Sequence, residues 1–137
     1  MVNLSRMRIL IGLERRLQFR YQKKLANATR ITSHLTGMPR GSGNHSQVED
    51  GAIELAEVEE AYREAREDLK VMREELEQLL TSLDDPDDIG IMRLRYVMGW
   101  DLEDIPDEVH LSRRAMFYHL SGAERKLMRM YPDRITK

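Results

Sequence analysis

Between Leu55 and Leu83 the apolar residues return at alternating steps of three and four: Leu55, Val58, Tyr62, Ala65, Leu69, Met72, Leu76, Leu79 and Leu83. That period keeps one seam in line along an α-helix, and a seam sustained in this way marks a coiled-coil-like helix that needs a partner. At ~1.5 Å per residue the seam runs for roughly 45 Å. A second, less regular stripe passes through Leu10, Leu13, Leu17, Tyr21, Leu25, Ala28 and Leu35, and supplies a candidate partner. The stretch from Thr36 to Ser46 is rich in Gly, Ser, Asn and Pro and sustains neither helix, so a loop is expected over residues 36–48. It is long enough to reverse the chain. Residues 1–84 are therefore expected to form a long antiparallel two-helix hairpin, and the same loop would let the helices exchange between two protomers.

The pattern changes after residue 84. Asp84, Asp85, Asp87 and Asp88 around Pro86 read as a helix stop followed by a new N-terminus. From Asp101 onward, Leu102, Ile105 and Val109 recur at helical spacing, with Asp101 as N-cap and Asp104 placed to answer it as in a capping box. After Val109-His110-Leu111, Ser112 caps a second helix whose Met116, Leu120, Ala123 and Leu127 share one face. Two short helices joined by a tight turn spell a helix-turn-helix, which makes residues 85–137 a candidate DNA-binding domain. The face left free carries Ser112, Arg113, Arg114, Phe117, Tyr118 and Ser121, with Arg125 and Lys126 farther along. These are phosphate-seeking cations and groups able to touch base edges in the major groove. Pro106 removes a backbone donor from the first helix, which is expected to be short or kinked. His110 stands where such a turn usually has Gly, and His enters the left-handed region more readily than most residues.

Charge sharpens this organisation. Residues 1–40 hold nine Lys or Arg against Glu14 alone, residues 41–88 hold sixteen Asp or Glu against four cations, and residues 89–137 hold nine positive against seven negative. The basic helix and the acidic helix thus suit one another, although the basic segment also fits nucleic acid. Exposed ion pairs contribute only ~0.2–1 kcal/mol each while burying a large apolar side chain contributes about 1.5–3, so the seam supplies stability and charge selects the partner. With a terminal segment of so little excess charge, dimerisation through the 55–83 helix is expected to set two recognition helices on one duplex. A homodimer or higher homo-oligomer follows. The 41% apolar content suits a folded protein, no run approaches a membrane span, and no secretory signal is visible at the N-terminus, so a cytoplasmic location is expected. Zero cysteines exclude a disulfide framework and cysteine-ligated metals.

The segment from Gly99 to Leu127 resembles the fourth region of sigma-70 factors. Gly99, Asp101, Asp104, Ile105, Val109, Leu111, Ser112, Met116, Ala123 and Leu127 fall on its pattern, and Met92-Arg93-Leu94-Arg95-Tyr96 resembles the helix that precedes it. Across nearly its whole length the chain is similar to small phage- or prophage-encoded regulators of the RinA/ArpU type. The resemblance rests on a basic helix ending in Ile31-Thr32 and Leu35-Thr36-Gly37-Met38-Pro39, the Gly/Ser loop, the acidic helix and the terminal motif. It implies control of phage genes through double-stranded DNA, with RNA polymerase as a further possible contact. Nothing resembles the sigma region that melts promoters.

Other chemistry is thinly represented. His34, His45, His110 and His119 are scattered without i, i+4 pairing, so no metal is expected. The carboxylates sit on a solvated helical face and no nucleophile has an adjacent base, so no catalytic residue and no cofactor are expected. Tyr96 and Trp100 read as core. The fold class expected is all-α, a coiled-coil-like hairpin followed by a helix-turn-helix, and the function expected is sequence-specific transcription regulation. Two alternatives stand beside it. One is a small terminase-like subunit for phage DNA packaging, and the other is a helical protein–protein interaction module.

Overall fold

The structure is a computed structural model that describes the backbone of residues 1–35 and 45–137 and the side chains of residues 1–27 and 56–137. It is mostly helical. In chain order it has β1 (Val2–Asn3), α1 (Leu4–Leu35), α2 (His45–Leu80), α3 (Pro86–Met92), a π-helical stretch at Arg93–Val97, α4 (Ile105–Val109), α5 (Arg113–Met130) and β2 (Ile135–Thr136). The two short strands, which nothing in the period of the sequence announces, pair in parallel with Val2 opposite Ile135 and Asn3 opposite Thr136. No helix among the described residues is long and apolar enough to cross a membrane.

Helix α2 begins at His45, so residues 45–48 are helical and the loop expected over 36–48 is shorter on that side. The turn formers that justify a loop end at Asn44, and beyond it only Gly51 interrupts a run of residues that tolerate the helix. At the other end α2 stops at Leu80, and Leu83 reaches the seam through a turn in which Ser82 N–H donates to Leu79 O and Leu83 N–H to Leu80 O. Most of the seam is buried as its period predicts: Val58, Ala65, Leu69, Met72, Leu76, Leu79 and Leu83 are all in the core, Tyr62 is only half-buried, and Leu55 lies outside the described side chains. The stripe on α1 is less complete. Leu17 is buried, Leu13 and Tyr21 are half-buried, and Leu25 is 46% exposed, while Ala28 and Leu35 lie outside the described side chains.

The chain divides into two compact units, Met1–Ile11 with Asp68–Lys137, and Gly12–Glu67. The first draws on both sides of the boundary expected at residue 84. Its core joins Leu4, Met7 and Ile11 of α1 to Leu69, Leu76 and Leu79 of α2, to Ile91 and Tyr96, and to Met116, Ala123 and Leu127 of α5. One chain therefore covers this part of the seam by itself. In the second unit Leu17, Val58 and Ala65 are buried, and the hydrogen bond to Glu59 first, its charge second, hold the Tyr21 phenol above its ordinary ionisation range.

Candidate nucleic-acid interface

Each end of the terminal helices has a local cause. Asp85 caps α3 by accepting from Asp87 N–H at 2.9 Å, Pro86 occupies the first turn where its missing donor costs nothing, and Asp87 and Asp88 complement the helix dipole. The helix then widens. In the π-helical stretch Met98 N–H reaches back to Arg93 O at 2.9 Å and Trp100 N–H to Leu94 O at 2.8 Å, while the Arg73 guanidinium donates to the Tyr96 carbonyl at 3.0 Å. Gly99 closes this segment at φ 70, and a Cβ there would stand 3.2 Å from Arg73 and 3.3 Å from Ile11.

The first of the two short helices starts later than its apolar spacing suggests. Residues 101–104 form a turn, with Asp104 N–H donating to Asp101 O at 3.1 Å, and α4 runs only from Ile105 to Val109 with no side-chain bond from its cap. The capping box of Asp101 and Asp104 is therefore not formed. Pro106 explains it: a ring favoured at a helix start sets the first turn around itself. His110 ends α4 in the left-handed region at φ 56, and both it and Leu111 donate to Pro106 O. Ser112 then opens α5, its hydroxyl accepting from Ala115 N–H at 3.1 Å, as the sequence predicts.

On α5, Met116, Leu120, Ala123 and Leu127 are buried, and Ser112, Arg113, Arg114, Tyr118, Ser121 and Arg125 are exposed on the other side, Tyr118 at 74%. Among the described residues neither Arg113 nor Arg114 has a carboxylate partner. Arg113 stands over the Phe117 ring at 5.7 Å, and Arg125 donates to Ser121 O of its own helix at 3.3 Å. The first turn of α5 holds two cations and no acid, against the preference of the helix dipole for negative charge at that end.

Two of the eight expected residues are placed differently. Phe117 is half-buried against the core, because its ring falls between the buried and the exposed faces. The Lys126 ammonium is exposed at its edge but held at 3.2 Å by Asp88, a carboxylate only 3% exposed. His119 Nδ1 meets the other oxygen of Asp88 at 2.8 Å and Asp85 at 3.6 Å. A buried carboxylate needs such compensation, and it draws both groups from the next turns of α5. The histidines read as scattered thus include one that joins Asp85 and Asp88, with ligand atoms all within 4.8 Å of one another. The carboxylate and imidazole are donors a divalent cation accepts, but Lys126 already supplies the positive charge.

Period and motif reasoning both miss Glu124. It lies on the buried side of α5, 5% exposed, and accepts from the Tyr96 hydroxyl at 2.6 Å. Arg8 reaches that hydroxyl at 3.2 Å and Glu124 at 3.9 Å, and Lys137 stands 4.0 Å from the carboxylate. Burial first, and the bond to Glu124 second, push the Tyr96 phenol far above its ordinary range. The only sequence sign was a charge at a core position of the helix.

These helices define a small helical protein with one cationic, solvent-facing side on α5. Residues 32–128 match the family described as a protein of unknown function (DUF1492), and the chain belongs to that family. No curated protein matches it, and no solved structure does either.

Proposed function

We propose that α4, the His110 turn and α5 are a helix-turn-helix that reads double-stranded DNA, and that the protein regulates transcription. The observation that carries this reading is the first turn of α5. Among the described residues Arg113 and Arg114 stand free of carboxylates at a capped helix start, where exposed N–H groups and the dipole attract phosphate. Two cations there cost stability, and departures from stability rules of this kind collect at functional sites. Tyr118 and Ser121 extend the same face toward base edges. The resemblance to phage and prophage regulators of the RinA/ArpU type makes phage genes the expected targets, with RNA polymerase a possible second contact and the cytoplasm the expected location.

In the same reading α1 and α2 form an antiparallel hairpin that carries this module. Arg6 pairs with Asp68 at 3.2 Å and Tyr21 with Glu59, so the numbers rise on one helix as they fall on the other. Burial of Leu69 and Leu76 in a single chain changes the expected route to a dimer. Those residues are no longer available as an intermolecular seam, and a substitution there tests the fold of the protomer rather than its self-association.

The test is binding to a randomised duplex pool followed by salt titration on the selected site. With Lys126 held by Asp88, four exposed phosphate neutralisers remain on α5, Arg113, Arg114, Arg125 and Arg129, so the slope of log affinity against log salt from this helix should be no steeper than about -4 per protomer at ~0.9 per contact. Arg114→Ala should cost ~1–3 kcal/mol on the selected site if it reads a base. Unchanged affinity and slope in the Arg113→Ala/Arg114→Ala double variant would remove α5 from the interface. A helical interaction module is the second reading, favoured by exposed Glu103, Asp104, Asp107 and Glu108 beside the cationic helix. It predicts no duplex binding even at low salt.

A further inference from the structure

Outside the proposed interface, the unit Gly12–Glu67 presents two stripes of opposite sign. Arg16, Phe19, Arg20 and Lys23 follow one another on α1 at steps of three, one and three, and all four are exposed, Phe19 at 67%. On α2, Glu57, Glu60 and Glu64 are exposed at steps of three and four, and with Ala56 and Ala61 they line a shallow concavity of about 400 Å³. Among the described residues none of these six charged groups has an ion-pair partner. Like charges at i, i+3 and i, i+4 repel, so each stripe is a cost to its own helix while unmatched.

We propose that this unit docks on a second copy of the chain, the cationic stripe of α1 lying along the acidic stripe of the second copy's α2. The steps match when the helices run antiparallel. Arg16 then falls opposite Glu64, Arg20 opposite Glu60 and Lys23 opposite Glu57. Phe19 meets Ala61, where the small side chains leave room for a ring. This is the same register in which Tyr21 already meets Glu59 within the chain. Because α1 and α2 belong to one protomer, a two-fold axis makes the contact twice and closes it as a four-helix bundle.

A nucleic acid is the other occupant a cationic stripe suggests, and charge decides against it. The unit holds nine Lys or Arg and nine Asp or Glu, so it offers phosphate no net attraction. The carboxylates of α2 also lie one helix width away, about the Debye length of ~8–10 Å at physiological salt. A reversed copy is attracted on both sides at once. The proposal is independent of DNA recognition, since it leaves Arg113 and Arg114 untouched.

Sedimentation equilibrium of the full chain without DNA tests it. The protein is expected to sediment as a dimer that weakens as salt rises. Arg16→Glu/Arg20→Glu/Lys23→Glu should raise the dimer dissociation constant at least about a hundredfold, and Glu57→Lys/Glu60→Lys/Glu64→Lys should do the same. An equimolar mixture of the two variants should regain the dimer mass, because every contact is again between opposite charges; unfolded variants would not be rescued. Phe19→Ala, on a side chain already in solvent, should loosen the dimer by about tenfold with helicity unchanged. A wild-type protein that stays monomeric at ~100 μM, above the dissociation constants of weak specific complexes, overturns the proposal. So does a dimer that both charge reversals leave intact, or a monomer whose basic-stripe variant loses DNA binding.

Discussion

Replacing Tyr96 with Phe isolates the buried pair that sequence periodicity overlooks. The ring is fully buried, so Phe keeps its packing and leaves no large cavity. What is lost is the hydroxyl that donates to Glu124 at 2.6 Å, after which the carboxylate has only Arg8 at 3.9 Å and Lys137 at 4.0 Å, both at the limit of an ion pair. A hydrogen bond to a charged group contributes ~1.5–3 kcal/mol, and a buried acceptor left short of partners sits at the upper end. For a chain of this size the expected drop in Tm is roughly 5–12 °C, measured by circular dichroism with a matching fall in urea midpoint. Glu124→Gln keeps an acceptor for the hydroxyl, and the double variant should be less destabilised than the two single losses combined, by ~0.5–3 kcal/mol. The same pair predicts a pH dependence. In the unfolded chain the phenol ionises near 10.0, whereas burial and Glu124 raise it in the folded state. The contribution to stability is therefore complete below that value and is lost as pH rises above it, and Tyr96→Phe should lack this component of the alkaline loss. A Tyr96→Phe protein within ~0.5 kcal/mol of wild type at neutral pH, a change typical of surface positions, would refute the reasoning.

Gly99→Ala should destabilise by ~1–2 kcal/mol, since an L residue is strained at φ 70 and its Cβ presses on Arg73 and Ile11; denaturant unfolding reads the loss. Ser112→Ala removes the acceptor of Ala115 N–H and should cost roughly 1 kcal/mol in the same assay, before any effect on DNA. Lys126→Ala should lower stability by leaving Asp88 with His119 alone, yet change the salt slope of DNA binding by less than about one contact, where Arg125→Ala should flatten it. A flattened slope in the Lys126→Ala protein would show that Asp88 releases the ammonium on binding.

The helices were legible wherever one face repeats. The seam from Val58 to Leu83 and the buried face of α5 come straight from their period, because burial of one face is what the period records. Ser112 was legible because capping is local chemistry, and His110 because its turn needs a left-handed residue. Asp101 misleads for a related reason. Its side chain suits an N-cap as well as Asp104 does, and what chooses between them is where Pro106 fits, a backbone constraint that apolar spacing does not carry. The strand pair of Val2 and Asn3 with Ile135 and Thr136 joins the two ends of the chain, and contacts at that separation leave no trace in a local pattern.

A charged residue reads the same on a buried face as on a solvated one until its partners are known. Lys126 was expected to meet phosphate, and Asp88 claims it; Glu124 interrupts an apolar face, and Tyr96 from another segment completes it. Both partners sit in or next to α3, so α5 is positioned by polar contacts at Asp88 and Tyr96 as well as by its core. A recognition helix needs its cations free and its own orientation fixed, and here the residues divide that labour by position. Arg113 and Arg114 at the start of α5 have no carboxylate partner among the described residues, while His119, Glu124 and Lys126 farther along tie the helix to its neighbours. Specific contacts on α5 are therefore expected from its first turns, and changes at Asp88 should alter affinity through helix placement, across all sequences alike.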